Sequence, residues 1–504
     1  MLAAAVLSIF LAALISLHIS LYRSRKLYTH IPSFPIPLSW KWAGGHLDLI
    51  WDRRRQLGDH RIADFSLILD WIRKDLETST MVIFVANRIM IYTVNLPLTA
   101  RVMSDHKTFL KVSAREANIA YVNGERMFGD RGILLEPGTE IWYHKRKMMD
   151  PAFQKKFLKC LMGDINRITN KLCDYLEQKF EGGKILDIYN VMNKTALEVV
   201  CTCGFSLNDD FIMLEESELN TAVNDLLSII PVSLRHRYTF WMPWSFRKEK
   251  KRLKDANGLL RGTVREILAA RIKSNSDNPD CTSNDILDHI IRGNMFSDNV
   301  SIEDILDDFA VFLVAGMETT AITMSCLVWL LLKHPDISQK VIAEVNEVYG
   351  DKEDLDYEDL NKLIYLEQCL KECLRLNPPI QMQFRRNTTN DVEVDELLIP
   401  KGTEIIMSVQ SIHHQEEHWP DPYTFNPDRF APGKKIEPFT YLPFAAGPRK
   451  CIGKHFAMME AKVVMSKIYR TFTLHDPYPE ERELKKVTKM TSKPKDGVFV
   501  KIEH

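Results

Sequence analysis

Residues 301–335, SIEDILDDFAVFLVAGMETTAITMSCLVWLLLKHP, read as one long helix that the rest of the fold must accommodate. Ser301 is a good N-cap, acidic residues fill the first turns, and Pro335 follows the end. The middle is apolar enough to cross a bilayer. Gly316, Glu318, Thr319 and Thr320 sit together at its centre, however, and an ionisable residue in the middle of a lipid-facing helix is costly. The segment is therefore expected to run buried through a protein core, with its polar notch facing a cavity. Helical periodicity recurs at 142–160, 163–180, 186–204, 247–273, 336–349, 359–377 and 452–472. Short β-like stretches lie at 81–94 and 392–412, the second turning at Pro400-Lys401-Gly402. The fold class is mainly α with a small β portion.

The chain has 504 residues, 45% hydrophobic and 26% charged, the balance of a globular protein. Its net charge of −1 predicts no polyanion partner, so nucleic acid is not expected and any electrostatic docking must come from local patches. Nine cysteines, odd in number and irregularly spaced, read as reduced thiols. Residues 1–22 are apolar, with His18 as the one ionisable side chain, and RSRK follows at 23–26. About 20 such residues span a bilayer, and positive charge stays cytosolic. The reading is a transmembrane anchor at 1–22 with the later chain on the cytosolic side. A cleaved signal peptide would carry positive charge before the apolar run, which is absent. A basic, proline-containing linker at 23–45 leads to one large domain at 46–504, within which no repeat or second linker appears.

The stretch PFAAGPRKCIGKHFA at 443–457 sets one cysteine between glycines and a helical run, among Arg449, Lys450, Lys454 and His455. Positive charge and a helix N-terminus both lower a thiol's pKa, so Cys451 is expected to be held ionised, as a metal-ligating thiolate must be. Gly447 and Gly453 permit a tight turn and the close approach of a flat macrocycle. Phe444 can shield the sulfur from water.

FAAGPRKCIG resembles the F-x-x-G-x-R-x-C-x-G haem-ligand signature of the cytochrome P-450 superfamily, and the likeness extends over about 30–504. ECLR at 372–375 resembles the family's E-x-x-R motif, and FNPDRF at 425–430 the segment whose arginine pairs with it. AGMETT at 315–320 is similar to the oxygen-activation motif, and WYHKR at 142–146 to the W-x-x-x-R haem-propionate helix. The resemblance implies the P-450 fold, haem b with Cys451 as axial thiolate and metal ligand, and a cofactor pocket including Trp142, Arg146, Arg386, Arg449, Phe444, Gly453, Ala315 and Gly316. Arg385 is adjacent to Arg386 and competes with it for the propionate role. Glu372, Arg375 and Arg429 are implied to form a buried structural triad; read alone, Glu372 and Arg375 are an i, i+3 pair.

Thr319 and Glu318 are the catalytic candidates, the hydroxyl bonding to bound oxygen and the acid relaying protons. Thr319 could instead bond back to the preceding helical turn; beside a haem cysteine, the relay is the expectation. Lys450, Lys454, His455, Lys145 and Lys147 read as a basic docking surface for an acidic electron donor. The basic run 247–254 follows FWMPWSF at 240–246, an aromatic stretch suited to a membrane surface.

These motifs imply a microsomal monooxygenase of the endoplasmic reticulum membrane, using NADPH indirectly through a flavoprotein reductase and admitting cytochrome b5 as a second donor. PAFQKKFL and CIGKHFAMMEAKV are similar to the clan containing fatty-acid hydroxylases. That clan often has a glutamate before the central glycine; here Ala315 stands there, which argues against covalent haem attachment by that route. HHQEEHWPDP at 413–422 lacks the family's usual Arg-Asp-Pro after its first histidine. The rival functions are a peroxide-rearranging haem-thiolate enzyme, which would not need Glu318–Thr319, and a non-catalytic haem-binding sensor. A chain spanning the membrane again at 301–334 is the third alternative.

Overall fold

The computed structural model describes residues 19–33, 65–85, 88–112, 121–122, 125–126, 132–134, 136–180, 184–235, 244–277, 285–292, 302–387, 390–481, 483–488 and 490–503. Most of the expected anchor lies outside the described residues; 19–26 are helical. The described chain separates into two compact units, each gathered from three stretches of sequence.

The first unit takes its residues from Met1–Val112, Gln381–Pro420 and Glu437–Arg449. It holds helices α1 (Phe65–Asp75) and α2 (Leu96–Ser104) and strands β1 (Thr80–Val85), β2 (Arg88–Thr93), β3 (Phe109–Leu110), β4 (Met382–Asn387) and β5 (Glu404–Ser408). The Asn95 side chain caps α2 by accepting from the Leu98 amide at 2.8 Å. The sheet order is β1-β2-β5-β4-β3. β2 and β5 run parallel, and the other neighbours antiparallel. The β-branched and aromatic residues Val82, Ile83, Ile91, Tyr92, Ile405 and Ile406 are buried in its core, with Leu69 of α1 and Val102 of α2. The hairpin expected within 392–412 turns at Asp395-Glu396, both at positive φ, rather than at Pro400-Lys401-Gly402. Gly402 instead turns the chain between Leu397–Ile399 and β5, which do not pair with each other.

The second unit is helical. It contains α3 (Thr139–Met149), α4 (Met162–Phe180), α5 (Ile188–Phe205), α6 (Glu218–Arg235), α7 (Arg247–Asp277), α8 (Ile302–Lys333), α9 (Pro335–Tyr349), α10 (Ile364–Leu376) and α11 (Lys454–Thr471), with a β6 (Lys486–Thr488) and β7 (Ser492–Pro494) hairpin near its C-terminus. The helix expected at 142–160 ends at Met149. Pro151 lacks an N–H and disfavours helical backbone before it, and the chain continues as a 3₁₀ turn over Asp150–Phe153.

The segment that opened the sequence argument is α8. Its most apolar window has mean hydropathy 1.7 and is 78% buried inside the protein, the position expected of a core helix. It packs against α5, α7, α10 and α11. A Cβ added at Gly316 would come within 2.7 Å of Val200 Cγ2, so this glycine lets α5 and α8 cross closely.

The residues implied as a triad lie within hydrogen-bond reach of one another, Glu372 and Arg375 buried and Arg429 partly exposed. Arg375 donates from Nε and Nη2 to both oxygens of Glu372, each at 2.8 Å, and from Nη1 to the Pro422 carbonyl at 2.7 Å. Glu372 Oε1 also accepts from the Asn426 amide at 3.1 Å and from Arg429 Nε at 3.3 Å. Glu372 and Arg375 are fully buried. One carboxylate thus binds two guanidinium groups and the backbone of 421–436 to α10. Removing one partner of such a buried pair costs roughly 3–5 kcal/mol. Arg375→Met should therefore lower unfolding stability by that order in a denaturant titration, and Arg429→Met by less, because its side chain is partly exposed.

Candidate active site

Cys451 opens the site. It precedes α11, whose N-cap is Gly453, and the backbone N–H groups of Gly453 and Lys454 act on its sulfur. An added Cβ at Gly453 would lie 4.0 Å from Cys451 Sγ, in ordinary contact, and its φ of −80° is open to any residue. Gly447 is the glycine that the turn requires. It sits at φ +69°, and a Cβ there would fall 2.3 Å from the Met103 carbonyl oxygen.

The thiol does not behave as the charge pattern led us to expect. Burial pushes the Cys451 thiol above its ordinary value, although the residue remains exposed. The Gly453 and Lys454 amides and the charges of Arg146 and Lys454 act in the opposite direction and offset only part of this effect. Desolvation of the anion outweighs the basic surroundings.

Arg146 lies on α3 and donates from Nε to Asp150 Oδ1 at 2.6 Å and from Nη1 to the Lys450 carbonyl at 2.8 Å. Its guanidinium clamps the backbone beside the cysteine. Trp142, one turn earlier, is buried. Lys147, Lys155, Lys450, Lys454 and His455 are exposed. Burial lowers His455, and the charges of Lys454, Lys155 and Lys450 lower it further, so these side chains share one neighbourhood. Lys145 is a correction. Its side chain is 1% exposed and bound to Asp308 at 2.8 Å, so it belongs to the core rather than to a docking face. It lies one helical step from the exposed residues, on the side of α3 that faces α8.

At the centre of α8, Ala315 is exposed and Thr319 partly so, while Glu318 is 1% exposed. Thr319 Oγ1 donates to the Ala315 carbonyl at 2.8 Å, the back-bond to the preceding turn. Glu318 turns elsewhere. Its Oε2 accepts from Thr491 Oγ1 at 2.5 Å and its Oε1 from Lys493 Nζ at 3.0 Å. Lys493 also lies over the Tyr189 ring at 5.8 Å. Thr491 and Lys493, on the β6–β7 hairpin, carry no motif that sequence reasoning could have used. Burial alone would lower the Lys493 ammonium, but Glu318 and Tyr189 raise it above the usual lysine value.

Phe444, Gly447 and Arg449 belong to the first unit. There His413 accepts from the Leu442 amide at 2.7 Å and stacks on Tyr441, tying the departing HHQEEHWPDP segment to the approach of the cysteine loop. Arg385 on β4 is 2% exposed, and its Nη1 donates to the Phe384 carbonyl at 3.0 Å. The side chain of its neighbour Arg386 lies outside the described residues.

The donor set of the second unit fits haem: an accessible thiol whose neighbouring backbone N–H groups favour the thiolate suits an iron ligand.

The sequence model of the family described as Cytochrome P450 matches residues 65–502. The chain belongs to the cytochrome P450 family. Its similar relatives include human cytochrome P450 4F8, 30% identical over 400 residues and 74% of each chain. Cytochrome P450 3A29 of Sus scrofa is 28% identical over 82% of this chain and 84% of its own. Cytochrome P450 4F4 of Rattus norvegicus is 27% identical over 94% and 91%. This P450 is a monooxygenase whose cofactor is haem on a cysteine thiolate.

The Glu318–Lys493 pair makes a prediction for the P450. Lys493→Met should destabilise the protein by about 3 kcal/mol, since it strands a buried carboxylate. Adding Glu318→Gln should recover most of that loss in a double-mutant cycle read by denaturant unfolding. Because the folded-state pKa of Lys493 is raised, the pair's contribution is complete below the ordinary lysine value of about 10.4 and is lost as pH rises through the raised one.

Proposed function

We propose that Cys451 is the iron ligand of a membrane-anchored monooxygenase that oxidises an apolar lipid, hormone or xenobiotic with NADPH-derived electrons. The observation that carries this reading is the accessible thiol at the start of α11, flanked by the Gly453 and Lys454 amides and by the Arg146 clamp on Lys450. Haem, when bound, supplies the activation of O₂ and the oxygen transfer. One oxygen atom enters the substrate, and the other leaves as water with two protons and two electrons.

The polypeptide's share is positioning and proton supply. Gly453, Lys454 and Arg146 hold the sulfur in place, and Arg449 and Arg386 are assigned to the propionates by the family resemblance. Glu318 accepts protons from the solvent side through Lys493, whose side chain is 18% exposed. For delivery, the Glu318 carboxyl must leave Thr491 and Lys493 and turn toward the Thr319 hydroxyl, which gives up its bond to the Ala315 carbonyl. Electrons come from an acidic flavoprotein reductase docked on Lys147, Lys155, Lys450, Lys454 and His455, with cytochrome b5 as a second donor to the same face. Placement at the endoplasmic reticulum membrane, catalytic domain in the cytosol, is supported by the anchor sequence and by Trp244, 69% exposed just before the basic start of α7. The Glu318–Thr319 pair favours this reading over a peroxide-rearranging enzyme or a haem sensor, neither of which needs delivered protons.

Two experiments test it. Reduced protein under carbon monoxide should give the red-shifted Soret band of thiolate-ligated haem, and Cys451→Ser should abolish it; a band retained in the variant assigns the ligand elsewhere. Thr319→Ala should still bind haem and substrate and take up electrons, while product formed per NADPH consumed falls. The assisted step should slow by roughly 10²–10⁴-fold. Thr319→Ser should restore the ratio. A Thr319→Ala enzyme as tightly coupled as the parent would remove Thr319 from the relay.

A further inference from the structure

The helical turns at 19–26 carry a cation inward and apolar side chains outward. Leu21, Arg25 and Tyr28, spaced i, i+4 and i+7, form the buried face, while Ile19, Tyr22 and Leu27 are exposed. A helix resting in water on a protein surface has the opposite arrangement. Arg25 is 8% exposed and lies over the Phe84 ring of β1 at 5.4 Å, and burial works against its charge.

The segment that follows is fastened to the first unit. Tyr28 Oη and Thr403 Oγ1 are 2.7 Å apart, and the Tyr28 ring meets Phe84 edge-on with centroids 6.5 Å apart. His30 Nε2 donates to the Leu398 carbonyl at 2.7 Å, and the Val82 amide donates to the Pro32 carbonyl at 2.9 Å. A cavity of about 650 Å³ lies here, and Tyr22, Arg25, Lys26, His30 and Phe84 contribute to its wall. Its size is that of a site for a small organic ligand. Among the described residues that line it, none is acidic. The surrounding sequence is equally one-sided: residues 1–47 hold Arg23, Arg25, Lys26 and Lys41 and no Asp or Glu. The acid whose charge reaches Tyr28 is Asp391, and its Oδ1 accepts from the Lys401 amide at 2.8 Å.

We propose that this cavity binds the headgroup phosphate of one anionic phospholipid. The planar Arg25 guanidinium and the Lys26 ammonium supply charge-assisted hydrogen bonds to phosphate oxygens, and Tyr22 adds a hydroxyl. Ile19, Tyr22 and Leu27 then meet the glycerol backbone and upper acyl chains, the depth at which aromatic and apolar side chains sit at a membrane interface. Delivery of the lipid from a bilayer rests on the anchor reading above, which ends the span at residue 22; the binding chemistry does not. Any basic run beside a membrane attracts anionic lipid. A built cavity differs in treating Arg25 and Lys26 unlike Arg23, which is exposed and outside the lining.

The test titrates the purified full chain in neutral detergent micelles, by calorimetry, with dioctanoyl phosphatidic acid, dioctanoyl phosphatidylcholine and inorganic phosphate. Phosphatidic acid, whose phosphate no choline neutralises, should saturate one site and bind about tenfold or more tighter than the other two. Lys26→Gln and Arg25→Lys should each weaken it about tenfold, the second by replacing the fork with a point charge, while Arg23→Gln leaves it unchanged. Arg25→Lys keeps the buried positive charge, and thermal unfolding without lipid checks that the variant is folded. Equal weakening by Arg23→Gln would show diffuse attraction to the basic run. Inorganic phosphate bound as tightly as the lipid would show a free-anion site, and no preference over phosphatidylcholine would show no anion site. Each of these three results overturns the proposal. The short-chain lipid reaches the protein without a bilayer, so failure of the anchor reading would leave a positive titration standing.

Discussion

The carboxylate of Glu372 is the interaction on which the most depends. It lies wholly out of water, so its charge is tolerable only because Arg375 chelates both oxygens while Arg429 and the Asn426 amide add to one of them. Arg375 in turn uses its remaining donors on the Pro422 and Thr424 carbonyls. A segment with little regular structure, 421–436, is thereby fixed to α10 by backbone hydrogen bonds to charged groups, which are stronger than neutral ones. The arrangement gives an irregular stretch of chain the rigidity that a strand or helix would otherwise provide.

The same rule, that buried charge must be answered, organises the rest of the P450. Lys145 is answered by Asp308, Arg261 by Asp307, and Glu318 by Lys493 and Thr491. All three pairings attach α8 to its surroundings through a charged residue on that helix. Charged pairs of fixed length set its register against α3, α7 and the β6–β7 hairpin. Cys451 obeys the rule from the other side: without a full positive charge on its sulfur, burial favours the neutral thiol.

The parts legible in the sequence were those encoded locally. Helix periodicity gave α4, α5, α8, α9 and α11 to within a few residues, and spacing gave the Glu372–Arg375 pair. The break at Pro151 was readable as well, but the periodicity of 142–160 masked it. What escaped was encoded by distant pairing. β4 follows Pro378-Pro379 and carries two adjacent arginines, so nothing in its composition announces an interior strand. The turn at Asp395-Glu396 lacks the usual Asn-Gly or Asp-Gly chemistry. Lys493 is one lysine among many until the C-terminal hairpin brings it to Glu318. Lys145 shows the reverse failure: a charge run was read as surface, although helical geometry points every third or fourth residue inward.

The sheet has a consequence for how this chain is made. β2 and β3 are complete by Leu110, yet β4 and β5, the strands that lie between them, begin at Met382 and Glu404. A ribosome adding about 5–20 residues per second must therefore extend the chain by roughly 300 residues before β2 can acquire its parallel partner. For tens of seconds, the β1–β2 hairpin carries an open, apolar edge of the kind that recruits foreign strands. The helices α3 to α10 of the second unit are translated within that interval. Their own folding competes with capture of the waiting edge, so the yield of native protein should depend on translation speed and on chaperones that shield a short β-ribbon.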